Sequence, residues 1–303
     1  MRVQSQPIVT GYSNNNTPAF KSAFLYSPKS PLHKINPVLR FMDNNFERSL
    51  QASRSMWFAV NKKLAPYVTI VDKTNNKFNT KMWDINKNNT KYLIIMHGLS
   101  HNITSLQTLY QEILDKTNYA VLAPEYNGFE QNSKENVYLE PKNLIKTTDV
   151  AIQYLNSKGI KDNDIYILGH SFGGYVAAAC AKKHQNIGGL ILLSSINTHK
   201  HWADAIKNGH PNYVPHYIQF LVSKFKIFTY QLSLLFNTAK CLKKVSAPVD
   251  IIHGRKDKRV KPETAEYLAK TCKNLHSLNI TGNGTHSLDA EKINIIINLL
   301  NNR

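Results

Sequence analysis

Apolar residues along the chain fall into two alternating patterns. Short runs at Tyr67–Val71, 77–85, Tyr92–Met96, Tyr119–Ala123, Asp164–Leu168, Gly188–Leu193, Val249–His253 and Leu275–Ile280 read as strands. The run Tyr92-Leu-Ile-Ile-Met96 has no polar interruption, which predicts a central strand covered on both faces. Between the runs, segments at 104–116, 142–157, 171–184, 262–273 and 288–301 carry apolar residues at helical spacing. Strands alternating with helices predict an α/β chain, with a mostly parallel sheet and helices on both faces. The first two strands flank Lys73-Thr-Asn-Asn76, whose turn residues predict a hairpin.

Three stretches depart from that rhythm. Residues 1–34 are rich in Ser, Asn and Pro, carry no acidic residue and show no sustained period, so they read as a flexible N-terminal arm. Leu39, Met42, Phe46, Leu50, Trp57 and Val60 recur at steps near three and four, predicting an N-terminal helix over 36–62 that packs outside the sheet. Between strands, residues 195–245 hold Trp202, several His and Tyr, and an aromatic and aliphatic run from Tyr217 to Phe236. An insertion there would lie above the strand ends as a lid or cap.

Composition narrows the class. A chain of 303 residues, 42% hydrophobic, can bury a large core within one α/β domain spanning 35–303. No run approaches a membrane span, and the first thirty residues lack the apolar segment of a secretory signal, so a soluble, cytoplasmic protein is expected. The formal charge of +18 is dispersed. It is compatible with peripheral contact with an anionic membrane, while the lack of any nucleic-acid-binding signature argues against nucleic acid. Cys180, Cys241 and Cys272 form neither a C-x-x-C pair nor an even set, so a reducing compartment is expected, with no disulfide framework, metal or organic cofactor.

The candidate chemistry sits at strand ends. Gly169-His170-Ser171-Phe172-Gly173 joins an apolar strand to a small-residue helix, the G-x-S-x-G arrangement that displays a serine hydroxyl on a strained turn. A serine needs a base within hydrogen-bond reach and a carboxylate to orient that base. In the chain order serine, acid, histidine, the acid falls on Asp257 in the loop after Val249–His253, and the base on His286 in the glycine-rich loop after Leu275–Ile280. Two main-chain donors for an oxyanion are expected from Phe172 and from Leu99 in His97-Gly98-Leu99-Ser100, with Ser100 or His101 as alternatives to Leu99. His97, Gly98, Tyr126 and His170 complete the candidate site as substrate-contacting positions. His97 and His253, each before a glycine at a strand end, are expected to shape their loops, and Asp289 to cap the last helix.

Over about residues 65–303 the chain resembles the α/β-hydrolase superfamily, on His97-Gly98, Gly169-His-Ser-Phe-Gly-Gly174, His253-Gly-x-x-Asp257 and His286. Pro124-Glu-Tyr-Asn-Gly128 is similar to the corresponding region of α/β-hydrolase-domain depalmitoylases and lipid esterases, with Asn127 in place of a proline. Gly169 to Tyr175 and Asp257-Lys-Arg-Val260 also resemble prolyl oligopeptidase catalytic domains, although no β-propeller precedes them here. The resemblance implies a serine esterase or thioesterase acting on acyl or lipid-like substrates. The alternatives are a peptidase or acyltransferase with the same triad, and a binding protein that keeps the fold without turnover.

Overall fold

The computed structural model describes residues 2–5, 67–71, 79–85, 88–98, 101–126, 141–197 and 236–303. The strands are β1 (Arg2–Ser5), β2 (Tyr67–Val71), β3 (Asn79–Ile85), β4 (Lys91–Met96), β5 (Tyr119–Pro124), β6 (Ile165–His170), β7 (Gly189–Leu193), β8 (Val249–Gly254) and β9 (Leu275–Thr281). The helices are α1 (Gln107–Lys116), α2 (Pro141–Ser157), α3 (Phe172–Lys183), α4 (Thr238–Leu242), α5 (Glu263–Thr271) and α6 (Ala290–Asn301). One sheet takes the order β1-β2-β3-β5-β4-β6-β7-β8-β9. Pairing is antiparallel from β1 to β3 and between β3 and β5, and parallel from there to β9.

The unbroken apolar runs become central strands because they feed two cores at once. Leu93, Ile95, Val121, Leu168, Ile191 and Leu193 face α1 and α6, whereas Ile94, Met96, Leu122, Ile167, Leu190 and Ile251 face α2, α3, α4 and α5. Successive side chains of a strand point to opposite faces, so a strand covered on both sides needs no polar alternate position. Helix α3 is buried from Phe172 through Ala181, and its Gly and Ala residues let it lie close to the sheet.

One expectation changes at the N-terminus, and two of the expected segments lie outside the described residues. Arg2–Ser5, within the segment read as a flexible arm, pairs with β2 as an edge strand, with Val3 opposite Ile70. Backbone hydrogen bonding alone can recruit such a segment, and it leaves no strong side-chain pattern. The helix expected over 36–62 and residues 198–235 of the expected lid lie outside the described residues. No helix among those described is long and apolar enough to cross a membrane.

Candidate active site

Strand β6 runs in register with β4, Met96 opposite Gly169, and with β7, His170 opposite Leu193, so its end lies at the middle of the parallel sheet. The chain then reverses into α3 through Ser171, whose backbone takes φ 54° and ψ −114°. A non-glycine residue in this region is strained, and such strain persists only where surrounding structure enforces it. The enforcement is visible: Ser171 N–H donates to Leu193 O at 2.9 Å, and Ser171 O accepts from Ile196 N–H at 3.2 Å. A Cβ on Gly169 would overlap the Gly173 carbonyl, and one on Gly173 would overlap the Met96 carbonyl. Strand and helix can approach this closely only without those side chains. Ser171 remains partly exposed.

Strands β8 and β9 deliver the other two groups. Their following loops are laced together by Arg255 N–H to Thr281 O and Lys256 N–H to Gly284 O, each at 2.9 Å. His286 Nδ1 lies 2.8 Å from Asp257 Oδ2, and its Nε2 lies 3.0 Å from Ser171 Oγ. Nδ1–H donation to the carboxylate leaves the Nε2 lone pair to accept the serine proton. Asp257 Oδ1 accepts from Arg259 N–H at 2.8 Å and Val260 N–H at 2.9 Å. Burial alone would raise the Asp257 pKa. Hydrogen bonds from His253 and His286, the His286 charge and the Val260 N–H outweigh it and hold the carboxyl well below the usual carboxylate range.

Around this line of three sit further histidines. His253 Nε2 lies 2.8 Å from Val260 O, as a donor to that carbonyl, and 3.3 Å from Asp257 Oδ2, so it shapes its loop as expected and also touches the carboxylate. His170 stacks on His101, ring centroids 5.2 Å apart and 10° from parallel, and its Nε2 donates to His286 O at 3.2 Å. Burial, then His101 and His286, pushes the His170 pKa far down, and burial followed by His97, His286 and Arg259 lowers His101 to about 3. Both rings are therefore neutral around physiological pH.

The expected substrate contacts are distributed differently from the sequence reading. Gly98 borders the site: a Cβ placed on it would sit 3.5 Å from Ser171 Cβ. His97 and Tyr126 instead turn into the core. His97 Nε2 lies 2.7 Å from Glu125 Oε1, its Nδ1 lies 2.9 Å from Gly98 O, and the Tyr126 hydroxyl donates to His97 O at 3.0 Å. Each ring is fully buried, so these residues brace the end of β4 rather than present a surface. His170 is likewise buried, behind His286. Phe172 begins α3, where its N–H belongs to the positive end of the helix; Leu99 and Ser100 lie outside the described residues. Asp289 caps α6, accepting from Lys292 N–H at 3.0 Å.

Among the described residues one set of metal-ligating side chains gathers: Asp149, Cys180 and His184, with candidate ligand atoms within 4.8 Å of one another. It lies at the far end of α3 from Ser171. Its carboxylate is already bonded by Lys183 and by His184 Nε2 at 2.8 Å, and burial followed by the Asp149 charge keeps the Cys180 thiol protonated.

Comparison with known proteins agrees with this architecture. Residues 87–227 match the family model described as serine aminopeptidase, S33. No curated protein sequence matches significantly. An esterase from Pyrococcus furiosus superposes with a TM-score of 0.60 at 19% identity, covering 77% of this chain and 89% of its own. A thermophilic esterase from Thermogutta terrifontis gives 0.56 at 16% identity, covering 78% and 97%. An esterase from Exiguobacterium antarcticum gives 0.55 at 16% identity, covering 77% and 97%.

Proposed function

We propose that this chain, which has the α/β-hydrolase fold, is a serine hydrolase that cleaves carboxylic esters or thioesters through an acyl-enzyme. The observation that carries this reading is the continuous line from Asp257 through His286 to Ser171, at 2.8 and 3.0 Å. Ser171 Oγ attacks the carbonyl carbon while His286 Nε2 takes its proton, and Asp257 stabilises the imidazolium that forms. The oxyanion is met by the Phe172 and Leu99 main-chain N–H groups. Its collapse breaks the bond from carbon to oxygen or sulfur, and His286 returns the proton to the departing alcohol or thiol. Water then attacks the acyl-enzyme, His286 accepts its proton, and the hydroxyl of Ser171 is restored as the acid leaves. Neutral His101 and His170 add no positive charge against the imidazolium.

A fluorophosphonate probe is expected to label the wild-type protein at Ser171, and Ser171→Ala to abolish both labelling and p-nitrophenyl ester hydrolysis. Labelling that survives in the mutant sinks the assignment, and a folded wild type that never labels favours a binding protein. The match to the serine aminopeptidase model supports a second reading, a peptidase with the same residues. Parallel assay of p-nitrophenyl esters, acyl thioesters and aminoacyl amides separates the two, with clear preference for amides overturning the ester reading.

A further inference from the structure

We propose that Lys292 is a positioning residue for His286, a role that rests on the serine-hydrolase reading above. Lys292 lies in the first turn of α6 and is wholly buried. Its ammonium donates to Thr285 O, and to Ser287 O at 2.7 Å, the two carbonyls on either side of His286. A third oxygen, Asp289 Oδ2, lies 3.1 Å away as a charge contact without hydrogen-bond alignment. An ammonium carries three donors and is costly to bury unless it is paired. The remainder of the helix face here is apolar, with Ile293, Ile296, Ile297 and Leu300 in the core. A methionine would suit that face better, so the geometry points to the loop as the reason for the charge.

The loop gets little support from its side chains. Gly282, Asn283, Thr285 and Ser287 are exposed, so packing cannot fix the backbone around His286. Four consecutive carbonyls are held instead: Gly284 O by Lys256 N–H, Thr285 O by Lys292, His286 O by His170 and Ser287 O by Lys292. Lys292 supplies two of these and spans the residue whose imidazole must reach Ser171 and Asp257 together. Displacement of a reacting group by about 1 Å can cost about 100-fold in rate.

The test compares Lys292→Met, Lys292→Gln and Lys292→Arg with wild type, each checked for folding by circular dichroism and thermal melting. With p-nitrophenyl butyrate, the Met variant is expected to lose about 10- to 100-fold in kcat with KM within about twofold, and to label more slowly with the fluorophosphonate. The Arg variant, which can still donate to both carbonyls, should recover part of that loss. A position readout independent of turnover is the far-downfield proton resonance of the bond from His286 to Asp257, expected in wild type and broadened or lost in the Met variant. A folded Met or Gln variant with wild-type kcat, or with an unchanged resonance, overturns the proposal. If neither neutral variant folds, Lys292 is a stability residue and the proposal is overturned as well. Failure of the wild type itself to label counts against the serine-hydrolase reading, and the resonance still decides whether Lys292 positions the ring.

Discussion

At Asp257 a single buried carboxylate takes hydrogen bonds from His286, Arg259 N–H and Val260 N–H while His253 stands 3.3 Å away. Its position between two basic pairs in the sequence, Arg255-Lys256 and Lys258-Arg259, equally suits a solvated surface carboxylate. Burial decides otherwise. Because the folded pKa is depressed, the stability Asp257 contributes is fully present above the unfolded value of about 3.9 and is lost as pH falls through the lower folded value. Urea denaturation of wild type and Asp257→Asn across pH should therefore show a stability gap that is widest above about pH 5 and narrows progressively as pH falls below about 4. A gap independent of pH would contradict the depressed value. At neutral pH the same substitution is expected to lower kcat by about 10³- to 10⁴-fold, since the amide no longer holds the productive imidazole tautomer.

At the scale of elements, the residue just past α6 ties strands β8 and β4 together. Asp250 on β8 has no solvent exposure and bonds Ser277 Oγ at 2.6 Å, His276 Nδ1 at 2.7 Å and the Arg303 guanidinium just past α6. Lys91 Nζ at the start of β4 donates to Arg303 O at 2.7 Å, tying the same terminus to a second strand. Arg303→Ala removes one charged partner and leaves two neutral or titratable ones. Its expected cost is about 1–3 kcal/mol, seen as a lower urea midpoint with an unchanged slope. An unchanged midpoint would show that solvent replaces the guanidinium freely. Helix α6 also illustrates a signal that could be read without coordinates: Lys292 stands one helical turn before Ile296 on an otherwise apolar stripe. A charged residue at such a position has to find partners, which here are the loop carbonyls.

Across the whole molecule the charge balance is strongly one-sided, +18 over 303 residues. A field of that sign predicts association with anionic vesicles that weakens as salt shortens the Debye length from about 10 Å at 0.1 M to about 3 Å at 1 M. Cosedimentation with phosphatidylserine-containing and purely zwitterionic vesicles tests this. Binding only to the anionic set, and only at low salt, is the expected outcome; no binding to either assigns the basic residues to composition alone. The parallel order of the sheet, with Ser171, Asp257 and His286 all carried just beyond strand ends, follows the general placement of ligand sites in such sheets.

Local pattern determined an α/β chain with a mostly parallel sheet, because runs such as Tyr92–Met96 and helices such as Phe172–Lys183 are specified by short-range hydrophobic period and by glycine sterics at Gly169 and Gly173. The same pattern marked Ser171, Asp257 and His286 as strand-end residues. Their convergence, the inward turn of His97 and Tyr126 behind Gly98, and the pairing of Arg2–Ser5 with β2 were decided only in three dimensions. The physical reason is common to all three: each depends on hydrogen bonds between residues far apart in the chain, and a local pattern carries no record of which distant partner will satisfy a donor or an acceptor.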